Sequence, residues 1–315
     1  MNFKGRDVIS IEDFSLDEIE HILNVTKEVE MYPEKFKNEM AGKIMSPLFF
    51  ENSTRTSSSF QAAMLQMGGR VLDFDIATSS VNKGETLRDT VKIIEGYNPD
   101  FVIIRHKRDG SAKFVADLLD VPVMNAGDGQ NQHPTQTLLD LYTIKELRGS
   151  LDGTKIVLAG DLKYGRTVHS LALALSKYPR CEMVFISPDS LRMPKYILNE
   201  LSKKGVSFQE KGLEELELSI RSFPIIYMTR IQRERFPESL EGEQEYEVIS
   251  KVYRLSLEML KNVNHELKIM HPLPKVGEIE ESVDETNFAH YFQQAKNGLY
   301  IRKALLILLA GGKDE

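Results

Sequence analysis

Eight short apolar runs recur along this chain, at 44–50, 71–74, 101–104, 121–124, 156–159, 183–186, 224–228 and 268–270, with helical patterns between them. This alternation constrains the fold more than any other feature. A strand that is apolar along its whole length, rather than at every second residue, is buried on both faces. Helices packed on both sides of a parallel sheet bury it in that way. The expected fold is therefore α/β, with two doubly wound parallel-sheet domains joined by interdomain helices. A helix from about Thr135 ends at Leu147-Arg148-Gly149-Ser150, and a new sheet opens at Lys155-Ile156-Val157-Leu158. This places a first domain at 1–134, an interdomain helix at 135–149, a second domain at 150–289 and a C-terminal helix at 290–315 that returns to the first domain. Near the start, Ser15-x-x-Glu18 makes a capping box, with Phe14 and Ile19 placed for a hydrophobic staple. The acidic stretch from Glu238 to Glu247 reads as a solvated loop.

Bulk properties narrow the function. A net charge of −7 over 315 residues leaves no basic footprint for nucleic acid, although a local basic pocket could still gather anions. The single cysteine, Cys181, leaves no disulfide framework and no cysteine-built zinc site, and it fits a reducing, cytoplasmic setting. No signal-peptide pattern opens the chain and no apolar run approaches a membrane span, so no membrane partner is expected. The seven histidines lack both H-x-x-x-H and H-E-x-x-H spacing, and no dinucleotide fingerprint occurs. Neither a metal nor a cofactor is expected.

Open parallel sheets take ligands beyond the carboxyl ends of their strands. Six of the apolar runs end in unusual polar residues: Ser53 to Thr56, Arg105-His106, Asn125 to Gln136, Asp161 to Arg166, Thr229 to Gln232, and His271-Pro272-Leu273-Pro274. Together they imply a cleft lined by Arg55, Arg105, Arg166 and Arg230. Guanidinium groups grip phosphate and carboxylate through paired hydrogen bonds, so such a cleft suits anions. In Phe49-Phe50-Glu51-Asn52-Ser53-Thr54-Arg55-Thr56 a strand runs into a hydroxyl-rich turn and then a helix that continues to Gly68-Gly69. The exposed amides of a helix N-terminus, three hydroxyls and Arg55 together suit a phosphate. A plain helix cap needs only one of them. Taken singly, Arg105 could be a surface arginine and His133 a turn histidine. Gly160-Asp161-Leu162-Lys163-Tyr164-Gly165-Arg166-Thr167 imitates a nucleotide phosphate loop, but its interior is bulky and the phosphate lysine is missing.

In order along nearly the whole chain stand FFENSTRTSSSF at 49–60, SSVNKGETLRDT at 79–90, IRH at 104–106, NAGDGQNQHPTQTLLDL at 125–141, GDLKYGRTVHSL at 160–171, YMTRIQRER at 227–235, MHPLP at 270–274 and YFQQAKNGLYIRKALL at 291–306. This set resembles the transcarbamoylase family, and within it the branch that acts on aspartate. The resemblance implies transfer of the carbamoyl group of carbamoyl phosphate to the amine of L-aspartate, giving N-carbamoyl-L-aspartate and phosphate in pyrimidine biosynthesis. It implies that Ser53, Thr54, Arg55, Thr56 and Arg105 hold the phosphate. Thr56, Arg105 and His133 would polarise the carbamoyl oxygen, and Gln136 would contact the carbamoyl amide. Arg166 would bind the aspartate α-carboxylate, Arg230 and Gln232 the side-chain carboxylate, and the carbonyls of Pro272 and Leu273 would orient the amine. Leu273-Pro274 would be cis, and Glu51 would pair with Arg166 and Arg235 as the domains close. The family further implies a homotrimer with shared active sites, in which Ser79 and Lys83 reach across from the neighbouring chain. Some members also assemble with separate zinc-binding regulatory chains. Asn52 and Lys275 stand where the family usually has proline and arginine. Two readings compete. One is ornithine carbamoyl transfer, whose pattern carries a cysteine where Pro272 stands; the other is a non-catalytic phosphate-binding module.

Overall fold

The computed structural model describes residues 1–74, 83–233 and 236–313. The chain divides into two compact units, Met1–Tyr142 with Lys296–Glu315, and Thr143–Ala295. Two long helices, α5 (Pro134–Arg148) and α10 (Tyr291–Leu309), each run from one unit into the other.

The first unit holds a four-stranded sheet in the order β2-β1-β3-β4: β1 (Ile44–Phe49), β2 (Arg70–Val71), β3 (Phe101–His106) and β4 (Val123–Asp128). All its pairings are parallel. Leu48, Val102, Ile104 and Val123 pack with Val91 of helix α3 (Leu87–Glu95) and Val115 of helix α4 (Ser111–Ala116). Fully burying such a side chain is worth about 1.5–3 kcal/mol. Pro47 lies inside β1, where a missing amide would normally break a ladder. Its nitrogen faces the β2 side, and β2 pairs only with Ile44 and Met45, so no bond is lost there. Before helix α1 (Leu16–Met31), Ser15 Oγ accepts from the Glu18 amide at 3.2 Å and Glu18 Oε2 from the Ser15 amide at 2.7 Å, completing the expected capping box.

The second unit holds a five-stranded parallel sheet in the order β7-β6-β5-β8-β9: β5 (Lys155–Ala159), β6 (Glu182–Ile186), β7 (Ser207–Lys211), β8 (Ile225–Met228) and β9 (Lys268–Met270). Strand β7 was not expected. Its sequence, Ser-Phe-Gln-Glu-Lys, is polar because it forms an edge with no fully buried residue. The acidic stretch is a helix, α9 (Leu240–Val252), instead of a loop; Ser239 caps it and Ile249 and Tyr253 anchor it in the core. Some strands also run further than the apolar runs. Arg105 and His106 complete β3, and Asn125 to Asp128 complete β4. Among the described residues no helix is long and apolar enough to cross a membrane.

Candidate active site

In each sheet the first strand in sequence sends its successors to opposite sides. The switch points are therefore β1/β3 in the first unit and β5/β8 in the second. The crevice beyond such strand ends is where a doubly wound sheet receives a ligand.

At β1/β3, the chain leaves β1, turns through Phe50 to Asn52 and enters helix α2 (Thr54–Gln66). Ser53 occupies the cap position in extended backbone (φ −156°, ψ 96°), yet its hydroxyl makes no capping hydrogen bond and no acidic side chain sits in the first turn. The helix N-terminus thus keeps its positive dipole end uncompensated by side-chain caps. Thr56 is buried, while Thr54 and Arg55 are exposed. Arg105, level with Phe49 in the sheet register, has a side chain only 12% exposed. Its Nη2 donates to Glu51 Oε1 at 2.6 Å and its Nη1 to the Ala126 carbonyl at 3.1 Å, while Nε is buried with no partner. Although Arg55 as a whole is exposed, partial burial of its guanidinium and then the like charge of Arg105 lower the pKa of Arg55. Two cations that repel one another around an uncapped helix end favour an anion between them.

The loop after β4 carries His133, buried, and the first turn of α5 carries Gln136, whose Nε2 donates to Asp140 Oδ1 at 2.9 Å. One buried carboxylate organises that loop. Asp128 Oδ1 accepts from Asn125 Nδ2 at 2.8 Å and from the Gln132 amide at 3.1 Å. Its Oδ2 accepts from the Gly110 amide at 2.8 Å and from Asn131 Nδ2 at 3.1 Å. The residue reading passed over Asp128. The only signal was an acidic residue between two glycines, Gly127 and Gly129. Lys83 is exposed, and Ser79 and Arg235 lie outside the described residues.

At β5/β8, Gly160 takes φ +115°, and a Cβ there would collide with Thr229 and the Tyr253 hydroxyl. The Asp161 amide donates to Thr229 Oγ1 at 3.0 Å. The Tyr253 hydroxyl shares its proton between the carbonyls of Ala159 at 2.8 Å and Thr229 at 2.9 Å. This knot joins the two strand ends from which the candidate arginines depart. Half-buried Arg166 opens helix α6 (Arg166–Leu175), and half-buried Arg230 and Gln232 follow β8. The phosphate-loop imitation is filled by its own side chains. Leu162 is fully buried, and Asp161 Oδ1 accepts from the Tyr164 amide at 3.0 Å, so the turn is held by its own contacts.

After β9 the peptide Leu273-Pro274 is cis, as expected, and Leu273 lies in left-handed backbone at φ +57°. A β-carbon makes that conformation costly, so the surroundings must impose it. Here His271 does so: its Nδ1 accepts from the Leu273 amide at 2.8 Å and its Nε2 donates to buried Glu278 at 2.7 Å. The Gln294 side chain accepts from the His271 amide at 2.8 Å. Burial alone would raise the Glu278 carboxyl, but hydrogen bonds from His271 and the Val276 amide hold it below its ordinary value. Lys275, in place of the family's arginine, pairs with Asp284 at 3.1 Å.

Comparison with known proteins defines the class. Residues 6–146 match the aspartate/ornithine carbamoyltransferase carbamoyl-P binding domain, and residues 152–309 match the Asp/Orn binding domain of the same family. The chain belongs to the aspartate/ornithine carbamoyltransferase family. Among its relatives, the aspartate carbamoyltransferase catalytic subunits of Thermococcus kodakarensis and Methanosarcina mazei are 52% and 49% identical, each over 99% of both chains. The aspartate transcarbamoylase of Trypanosoma cruzi in complex with N-(phosphonacetyl)-L-aspartic acid superposes with a TM-score of 0.90 at 35% identity, over 98% of this chain and 96% of that one. The catalytic subunit of M. jannaschii aspartate transcarbamoylase gives 0.89 at 43%, over 97% and 98%.

Proposed function

We propose that this chain transfers the carbamoyl group of carbamoyl phosphate to the amine of L-aspartate, giving N-carbamoyl-L-aspartate and phosphate. Its first unit takes the carbamoyl phosphate and its second the aspartate. The observation that carries this reading is the cation pair Arg55 and Arg105 beside the uncapped start of α2, at the switch point of the first unit. Ser53, Thr54, Arg55, Thr56 and Arg105 hold the phosphate. The carboxylate of Glu51 already sits on Arg105, so the incoming phosphate competes with it for that guanidinium. In the second unit Arg166 takes the aspartate α-carboxylate, Arg230 and Gln232 the side-chain carboxylate, and the carbonyls of Pro272 and Leu273 orient the amine.

The neutral amine attacks the carbamoyl carbon, a C–N bond forms, and charge gathers on the carbonyl oxygen, where Thr56, Arg105 and His133 donate. The C–O bond to phosphate then breaks, the departing phosphate takes the electron pair, and the proton lost by the amine nitrogen passes to that phosphate. Donors fixed in advance at both positions lower the barrier without reorganising. Bringing both substrates together supplies a further share. The relatives named above as catalytic subunits support an assembly of more than one chain. In our reading that assembly is a trimer, with Ser79 and Lys83 supplied by a neighbour. A colorimetric carbamoyl-aspartate assay, run beside ornithine, tests the proposal. Product with aspartate and none with ornithine is expected. Product with ornithine alone, or none with either substrate, would reject it.

A further inference from the structure

Arg302, in the middle of α10, is a buried cation that the reaction scheme above does not use. It is 3% exposed, and no carboxylate pairs with it among the described residues. Its Nε is buried without a partner, its guanidinium lies 5.0 Å from the centre of the Phe60 ring, and its Nη1 sits so close to Gly298 that a Cβ there would collide with it. Burial pushes its pKa down to about 9. It is therefore still charged at neutral pH. An unpaired charge in an interior is costly, and a structure keeps one where the charge has a task.

The one hydrogen bond this guanidinium makes among the described residues identifies the task. Arg302 Nη2 lies 3.4 Å from Thr135 Oγ1, and Thr135 Oγ1 lies 3.5 Å from His133 Nδ1. All three groups belong to the first unit, and Thr135 is fully buried with His133 beside it. A guanidinium can only donate, so Thr135 Oγ1 must be its acceptor. With Arg302 Nη2 on one lone pair, the Thr135 hydroxyl still has its own proton to donate, and His133 Nδ1 stands where an acceptor would. In a neutral imidazole that places the ring proton on Nε2. We infer that Arg302, acting through Thr135, is a positioning residue that fixes His133 as the neutral Nε2–H tautomer, the form able to donate to the carbamoyl oxygen.

The inference rests on the reading that His133 acts at that oxygen, and the test separates the two. Enzyme labelled with [15N]histidine is observed by long-range 1H–15N correlation, with the His133 ring assigned from a His133→Asn variant. Thr135→Val is close to isosteric and removes the hydroxyl, Thr135→Ser restores it, and Arg302→Gln removes the charge. The wild type and Thr135→Ser should show the Nε2–H pattern. In Thr135→Val and Arg302→Gln the Nδ1–H form should appear, with kcat lowered about 10-fold to 100-fold and KM for carbamoyl phosphate changed much less. A His133 ring that keeps its wild-type pattern in Thr135→Val overturns the relay. A ring that changes tautomer while kcat stays at the wild-type level confirms the relay and instead rejects the role of His133 at the carbamoyl oxygen.

Discussion

Individual side chains carry the charge logic of the site. Arg105 is held by one carboxylate and one carbonyl, with Nε to spare, so it is oriented before any phosphate arrives. Replacing Arg55 or Arg105 by Ala should lower kcat by about 10²–10³. The circular dichroism spectrum and melting temperature should stay close to wild type, and near-normal turnover would remove these residues from the mechanism. Ser53 offers a sharper test. A serine cap replaced by Ala usually costs about 1 kcal/mol. Because the Ser53 hydroxyl does not cap α2, Ser53→Ala should leave the melting temperature unchanged while raising KM for carbamoyl phosphate. A lost melting temperature with unchanged KM would return Ser53 to an ordinary capping role. Replacing Arg230 by Gln should mainly raise KM for aspartate. An unchanged aspartate response would reject its carboxylate role.

Elements decide whether those side chains are aimed. The turn after β9 depends on His271 and Glu278, which hold Leu273 in left-handed backbone. Glu278 is held below its ordinary value of 4.5 in the folded protein, so it stabilises the fold fully at higher pH. That contribution is lost as pH falls below 4.5 and through the depressed value, because the unfolded chain takes up the proton first. Glu278→Gln should therefore melt lower than wild type at neutral pH and show a shallower loss of melting temperature on acidification. Parallel acid limbs would contradict this. At the β5/β8 switch point, Tyr253→Phe deletes the hydroxyl between Ala159 and Thr229 and leaves carbonyls less satisfied. A stability loss of about 1–3 kcal/mol is expected in urea unfolding.

At the scale of the whole molecule, each unit presents polar residues at the carboxyl edge of its own sheet, and the reaction requires the carbamoyl carbon and the aspartate amine to meet. If Lys83 serves the site of a neighbouring chain, mixing inactive Lys83→Ala with inactive Arg55→Ala and reassembling should restore part of the activity. Hybrids without any recovery would show that each site is built from one chain. The doubly wound pattern of the fold was legible because strands buried on both faces read as continuous apolar runs. Strand β7 was not legible, since an edge needs no apolar sequence. The acidic helix α9 was missed for a related reason: charge dominates its exposed side, while Ile249 and the half-buried Tyr246 pack against the core.

By itself the sequence determined the kind of ligand this chain gathers, because arginines and hydroxyls at strand ends follow from periodicity and residue chemistry. Tertiary structure alone decided which groups hold those residues in place. Asp128, Tyr253, Glu278 and Arg302 act on partners up to 167 residues away along the chain. Linear spacing carries no trace of such partners. A buried carboxylate or guanidinium acquires its meaning only from the atoms that the fold brings within hydrogen-bond reach.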